Sequence, residues 1–82
     1  MATLYLTIKK QWFDAIADGK KKIEYREIKP FWDRRLGKKK YSEVYFSNGY
    51  SHDAPQMIVE CKKIVKNSHY EIHLGKIIDI SQ

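Results

Sequence analysis

The sequence predicts an α+β fold, a small β-barrel of about six strands with one main helix and one short helix. Two observations lead to this class. Short segments of alternating apolar and polar residues, bounded by Gly, Pro, Asn and Ser, recur along most of the chain. The first half has the order strand, helix, strand, with only one further short helical segment. With 82 residues, the chain is expected to form a single domain, residues 1–82.

The first strand and the main helix are predicted from the spacing of apolar residues. TLYLTI alternates and indicates a strand, whereas KKQWFDAIADG has apolar residues four apart, as in a helix. Its apolar stripe includes Trp12, Phe13 and Ile16, so Trp12 is expected in the core. Thr7 is the candidate N-cap. Gly19 is expected to end the helix because glycine adopts the left-handed conformation at little cost.

The second strand, residues 21–28, is unusually rich in charge. Ile23 and Tyr25 are expected to point into the core. Four ionisable residues share the other face of a regular strand: Lys20, Lys22, Glu24 and Arg26. Pro30 then begins the short helix PFWDRRL, and Gly37 ends it.

The remaining segments predict strands. YSEVYFS precedes a turn at Asn48 and Gly49. The long segment QMIVECKKIVKN, HYEIHLG and GKIIDIS complete the count of about six strands. In QMIVECKKIVKN the residues expected to face inward are Met57, Val59 and Cys61. In HYEIHLG they are Tyr70, Ile72 and Leu74.

Charge is distributed unevenly along the chain, whose net charge is +6. Residues 1–41 contain twelve Lys/Arg and five Asp/Glu, whereas residues 42–82 contain four Lys/Arg and five Asp/Glu. A basic half that is rich in Tyr and Trp favours an anionic partner, most commonly nucleic acid.

Several classes of protein are not expected. No apolar run reaches the ~18 residues of a membrane span, and the apolar N-terminal stretch is short for a secretory signal. The single cysteine excludes an internal disulfide and favours a cytoplasmic protein. No cofactor or metal is expected. His69, Glu71 and His73 alternate on one strand face, which is more typical of a solvated surface than of a zinc site.

The charged strand has two interpretations. On a regular strand Glu24 lies between cations ~6.5–7 Å away. Such an arrangement can be a surface salt ladder of little energetic value. It can equally be a ligand cradle, in which Arg26 offers a planar donor fork to a phosphate or a base edge and Lys21 adds a point charge.

The segment LTIKKQWFDAIADGKKKIEYREIKP resembles the signature of ASCH domains, named for homology to the activating signal cointegrator. The signature is a strand, a helix ending in Ile-x-x-Gly, and Lys-x-x-Glu-x-Arg on the next strand. The matching residues are Ile16, Gly19, Lys21, Glu24 and Arg26. The resemblance implies a PUA-like β-barrel whose groove is lined by the last three of these residues. It also implies RNA binding, the role inferred for the family.

Some small ASCH proteins that this chain resembles in length are amidohydrolases of acetylated cytidine. Their chemistry uses a lysine, which Lys21 matches, and a threonine, where this chain has Glu24. Their later glutamate lies in a helical segment, and no second long helix is expected here. A ribonuclease-like activity of Lys21, Glu24 and Arg26 on a phosphodiester is another alternative. A third is a protein-interaction module without a nucleic-acid role.

The sequence therefore predicts binding of RNA or a modified nucleoside in a basic groove, without a membrane role. Lysines would contact phosphates, and Arg26 and Asn48 would contact bases. Trp32 can be a core residue or a groove wall. Lys21 and Glu24 would be catalytic only in an enzyme. The candidate binding residues are Lys9, Lys10, Lys20, Lys21, Lys22, Glu24, Arg26, Trp32 and Asn48. The sequence leaves the oligomeric state open, and a protein partner is an alternative.

Overall fold

The computed structural model describes residues 2–51 and 53–81 and confirms the α+β class. It contains five strands and two helices. In chain order these are β1 (Ala2–Thr7), α1 (Lys10–Ala17), β2 (Ile23–Arg26), α2 (Pro30–Leu36), β3 (Tyr41–Ser47), β4 (Gln56–Lys66) and β5 (Tyr70–Ser81). The expected count of about six strands is one too high, because HYEIHLG and GKIIDIS form the single strand β5. Gly75 does not break this strand. It lies against the side chain of Glu60, where a Cβ atom would collide.

The five strands form one mixed sheet in the order β1-β3-β4-β5-β2. β1 is parallel to β3, and all other neighbours are antiparallel. β3 pairs with residues 56–60 of β4, whereas β2 pairs with residues 70–73 of β5. The register between β4 and β5 shifts on either side of Cys61, and such irregularities bend a hairpin. The sheet consequently curls into a half-barrel.

The concave side of the sheet holds the hydrophobic core. β4 contributes Met57, Val59 and Cys61, and β5 contributes Tyr70, Ile72 and Leu74, all as predicted from their alternation. From α1 the buried residues are Phe13 and Ile16.

The orientation of α1 differs from the prediction in one respect, because Trp12 is 45% exposed. Trp12 lies four residues before Ile16, and Phe13 lies four residues before Ala17. The apolar spacing alone therefore allows either of two helix faces to be buried. The helix buries the face that carries Phe13, Ile16 and Ala17. The prediction that Trp12 belongs to the core is therefore wrong.

The ends of the helices are partly as predicted. Gly19 adopts the left-handed conformation with φ of +79°, and Pro30 is the first residue of α2. Thr7 is not the N-cap of α1. It belongs to β1, and Lys9 occupies the cap position without a side-chain hydrogen bond. Among the described residues, neither helix is long and apolar enough to cross a membrane.

Candidate functional site

β2 places Glu24 inside the protein and Tyr25 outside it. Glu24 is 6% exposed, whereas Tyr25 is 51% exposed. The prediction that Tyr25 is a core position is therefore wrong, and Ile23, on the same strand face, is only partly buried. The register with β5 explains why. Glu24 lies opposite Ile72, and paired residues on neighbouring strands share a face of the sheet.

Arg26 follows the same rule, since it lies opposite the buried Tyr70. Its Nη2 donates a charge-assisted hydrogen bond of 2.7 Å to Oε2 of Glu24. The same nitrogen is 3.5 Å from the carbonyl oxygen of Thr7, a long contact. Because Thr7 ends β1, this contact connects the two edge strands of the curled sheet. Nε of Arg26 is buried without a hydrogen-bond partner among the described residues.

The second cation at Glu24 is Lys21, and its Nζ lies 3.5 Å from Oε1. Lys20 and Lys22 are exposed and lie before the strand, so the prediction that they share a strand face with Glu24 is wrong. β2 begins only at Ile23, and the backbone N–H groups of Lys20 and Lys21 both donate to the carbonyl of Ala15. The lysines therefore belong to the turn that ends α1, and the turn directs Lys21 towards the carboxylate.

Aromatic rings surround these charges. Nζ of Lys21 is 5.2 Å from the ring centre of Trp12 and 5.3 Å from that of Tyr25, within the range of cation–π contacts. Both rings are about half exposed. We call the following six residues the Glu24 cluster: Trp12, Lys21, Glu24, Tyr25, Arg26 and Trp32.

Trp32 completes the Glu24 cluster from α2. It is partly buried and packs against the core, and Cζ of Arg26 lies 5.1 Å from its ring centre. Cζ of Arg35 lies 5.9 Å from the same ring. Trp32 is thus both a residue at the margin of the core and a wall of the cluster.

The position of α2 depends on a polar contact that the sequence did not indicate. The hydroxyl of Tyr70 donates to Oδ1 of Asp33, and Nζ of Lys66 is 3.2 Å from the same oxygen. The Tyr70 hydrogen bond, together with Lys66, lowers the pKa of Asp33, and the same hydrogen bond raises the pKa of Tyr70. Asp33 is more than thirty positions from both Lys66 and Tyr70, so no local pattern could have identified this contact.

Asn48 lies near the same end of β1 as Arg26. Its Nδ2 donates to the carbonyl of Ile8 at 3.1 Å, next to the Thr7 carbonyl that Arg26 approaches. Its backbone N–H donates to Pro55. The side chain therefore fixes the β3 turn against the chain that leaves β1. Its Oδ1 makes no hydrogen bond to any of the residues that the structure describes.

The predicted phosphate-binding lysines lie at the two ends of α1. Lys9 and Lys10 precede the helix or begin it, Lys20 and Lys22 follow it, and all four are exposed. Lys10 forms an ion pair with Asp14 at 2.7 Å, and this contact raises its pKa. Half of the basic charge at the start of the helix is consequently offset locally.

The described residues contain no group of three or more His, Cys, Asp or Glu side chains placed to hold a metal ion. On β5, His73 Nε2 is 3.1 Å from Oε1 of Glu71. Hydrogen bonds from Asn67 and from His73 lower the pKa of Glu71.

A cavity among the described residues lies away from the Glu24 cluster. It has a volume of about 480 Å³ and lies between residues 36–41 and residues 61–64. The cluster combines a buried carboxylate with two half-exposed aromatic rings. Half-exposed rings can stack with a flat group such as a base.

Comparison of the chain with protein-family models, curated proteins and solved structures finds no match.

Proposed function

We propose that the chain binds single-stranded RNA or a modified nucleotide at the Glu24 cluster. The observation that carries this proposal is the pair of half-exposed rings, Trp12 and Tyr25, whose centres lie 5.2 Å and 5.3 Å from Nζ of Lys21. Exposed aromatics beside cations are the usual platform for unpaired bases, and each stacked base contributes ~1–3 kcal/mol.

The fixed polar groups beside the rings would provide base selectivity. Glu24 holds Arg26 in one orientation, and the guanidinium can donate to a base edge or a phosphate oxygen. Asn48, close to the same end of β1, uses one amide proton for Ile8, and an amide side chain has a second donor proton and an acceptor oxygen that could contact a base.

Exposed lysines at both ends of α1 would add phosphate contacts that do not depend on sequence: Lys9, Lys10, Lys20 and Lys22. The half-barrel leaves β1 and β2 as separate edges beside these lysines, and this opening is compatible with the groove of a PUA-like barrel. The resemblance of the first third of the chain to the ASCH signature supports the same ligand class. The single cysteine supports our expectation that this function is cytoplasmic.

The test is a binding titration with short single-stranded RNA, duplex RNA and acetylcytidine at ~50 and ~150 mM salt. Arg26→Lys keeps a positive charge beside Glu24 but loses the planar fork, and we expect it to weaken RNA binding. Trp12→Ala should weaken binding ~5-fold or more, because it removes a stacking surface. Arg34→Ala removes an exposed arginine of α2 and serves as the charge control, with a small loss expected.

A loss for Arg34→Ala as large as or larger than that for Arg26→Lys would contradict a specific site, because a diffuse positive surface depends on the number of charges and not on the planar fork of Arg26. Binding that disappears near physiological salt would be non-specific. Either result would favour the protein-interaction module.

A second candidate function is hydrolysis, and the closeness of Lys21 to Glu24 favours it. Lys21 Nζ and Glu24 Oε1 are 3.5 Å apart, and their side chains are only 18% and 8% exposed. A covered acid–base pair can move protons in amide hydrolysis of acetylcytidine or in phosphodiester cleavage. Glu24 cannot replace a hydroxyl nucleophile, so water would have to attack. For this function Lys21→Ala should abolish turnover but leave part of the binding.

A further inference from the structure

A second basic site lies away from the Glu24 cluster, around the cavity of about 480 Å³. Five lysines line this cavity, three from the loop after α2 and two from β4. They are joined by the only cysteine of the chain. We call this the lysine pocket, and its polar lining consists of Lys38, Lys39, Lys40, Lys62, Lys63 and Cys61.

The curvature of the sheet creates the lysine pocket. The pairing of β3 with β4 ends at Glu43 and Glu60, whereas β4 continues to Lys66. Beyond Glu60, β4 therefore pairs only with β5 among the described strands. The loop of residues 37–40 runs beside this unpaired edge on its way from α2 to β3, and the cavity lies between them. Lysines that the sequence places more than twenty positions apart meet there.

The charge of the lysine pocket is of one sign. None of the described residues that line it is acidic. The nearest carboxylate along β4 belongs to Glu60, whose Oε1 lies 3.4 Å from the backbone nitrogen of Lys76. Several like charges around one concave surface repel each other, and they concentrate a positive field that attracts anions.

The remaining lining residues favour an anion that carries an organic group over inorganic phosphate. Leu36, Tyr41 and Ile64 contribute apolar surface beside the lysines. The volume lies within the ~300–1,000 Å³ of typical small-molecule sites, which exceeds what a single inorganic phosphate needs. Lysine is a common point-charge partner of phosphate groups.

We propose that the lysine pocket binds a phosphate-bearing ligand of nucleotide size. The lysines would contact the phosphates, and the apolar lining would contact the attached organic group. The source of the ligand would be a free nucleotide or the phosphorylated end of an RNA chain. This site does not depend on the Glu24 cluster, so either proposal can fail while the other holds.

Cys61 provides a direct reporter of occupancy. It is 8% exposed, and burial raises the pKa of its thiol, so its reaction with N-ethylmaleimide should be slow. A ligand in the lysine pocket should slow the reaction further. At a free ligand concentration of about four times Kd, four fifths of the sites are filled and the rate should fall ~5-fold.

The experiment measures Cys61 alkylation with ADP, with adenosine as the phosphate-free control, at constant ionic strength. The pocket variant carries Lys39→Gln and Lys62→Gln. The matched control carries Arg34→Gln and Lys76→Gln, which remove two exposed positive charges outside the pocket. We expect ADP to protect the parent and control proteins, and to protect the pocket variant far less. Calorimetric titration of ADP into the parent protein should give the same Kd.

Two results would overturn the proposal. One is protection by adenosine equal to that by ADP. The other is undiminished protection of the pocket variant, which would mean that ADP binds elsewhere. A single-stranded oligonucleotide with and without a 5′-phosphate separates the sources. Protection that requires the 5′-phosphate would identify an RNA end as a ligand, and protection by ADP alone would identify a free nucleotide.

Discussion

Replacing Glu24 by glutamine tests the arrangement of charge at the Glu24 cluster. The substitution keeps the shape of the side chain and removes its charge. Glu24 is 6% exposed, with Arg26 at 2.7 Å and Lys21 at 3.5 Å. Glutamine can still accept one hydrogen bond from Arg26, but both cations lose their counter-charge in a poorly hydrated place.

The size of the effect follows from the burial of the partners. Removing one member of a fully buried ion pair costs ~3–5 kcal/mol. The side chains of Lys21 and Arg26 are 18% and 20% exposed, so water compensates part of this loss. We therefore expect Glu24→Gln to lower the free energy of unfolding by about 2–3 kcal/mol. For a domain of this size the corresponding fall in Tm is roughly 10–20 °C.

The assay is urea unfolding followed by circular dichroism, with calorimetry for Tm. Glu27→Gln is the matched control, because Glu27 pairs with Lys29 at 3.1 Å on the surface, where the two side chains are 68% and 60% exposed. We expect the control to change stability by less than ~0.5 kcal/mol. A loss below ~1 kcal/mol for Glu24→Gln, or losses of equal size in the two variants, would refute the inference that Glu24 holds two cations in place.

Three further predictions concern separate parts of the fold. The pKa of Asp33 lies below its ordinary value of 3.8. Its ionised form therefore stabilises the folded protein fully above pH 3.8, and this stabilisation is lost as the pH falls through the lower pKa of the folded state. Tyr70→Phe should therefore flatten the loss of stability measured by urea unfolding between pH 4 and pH 2 (about the range in which Asp titrates). Gly19→Ala should cost ~1 kcal/mol, since Gly19 has φ of +79°, and thermal melts should show a smaller loss for Gly19→Asn. Phe13→Ala should destabilise by ~3–5 kcal/mol in urea unfolding, whereas Trp12→Ala should have a much smaller effect because its ring is half exposed.

The parts of the fold that the sequence predicts well are those with regular alternation. Tyr70, Ile72 and Leu74 alternate with polar residues, and β5 buries all three. Long strands contain several such positions, so the apolar set determines which face turns inward. The turn at Asn48 and the start of α2 at Pro30 are also predicted, because both depend on local backbone preferences.

β2 shows where this kind of prediction fails. Its four residues offer one apolar set, Ile23 and Tyr25, and one charged set, Glu24 and Arg26. Apolar preference alone selects the first set. The register with β5 selects the second, because Glu24 lies opposite Ile72. A short edge strand contributes little burial of its own, so its long neighbour determines its face.

The reversed face of β2 strengthens the functional interpretation of Glu24. A strand selected for stability alone would place an apolar side chain opposite Ile72, since a buried ion pair is often no better than apolar packing. Here the fold places a carboxylate there instead and positions Lys21 and Arg26 around it. The apolar Tyr25 is left half exposed beside Trp12. A buried charge and an exposed aromatic ring each give less stability than apolar packing at the same positions would give. The cations and rings that result are the groups on which the proposed nucleotide binding depends.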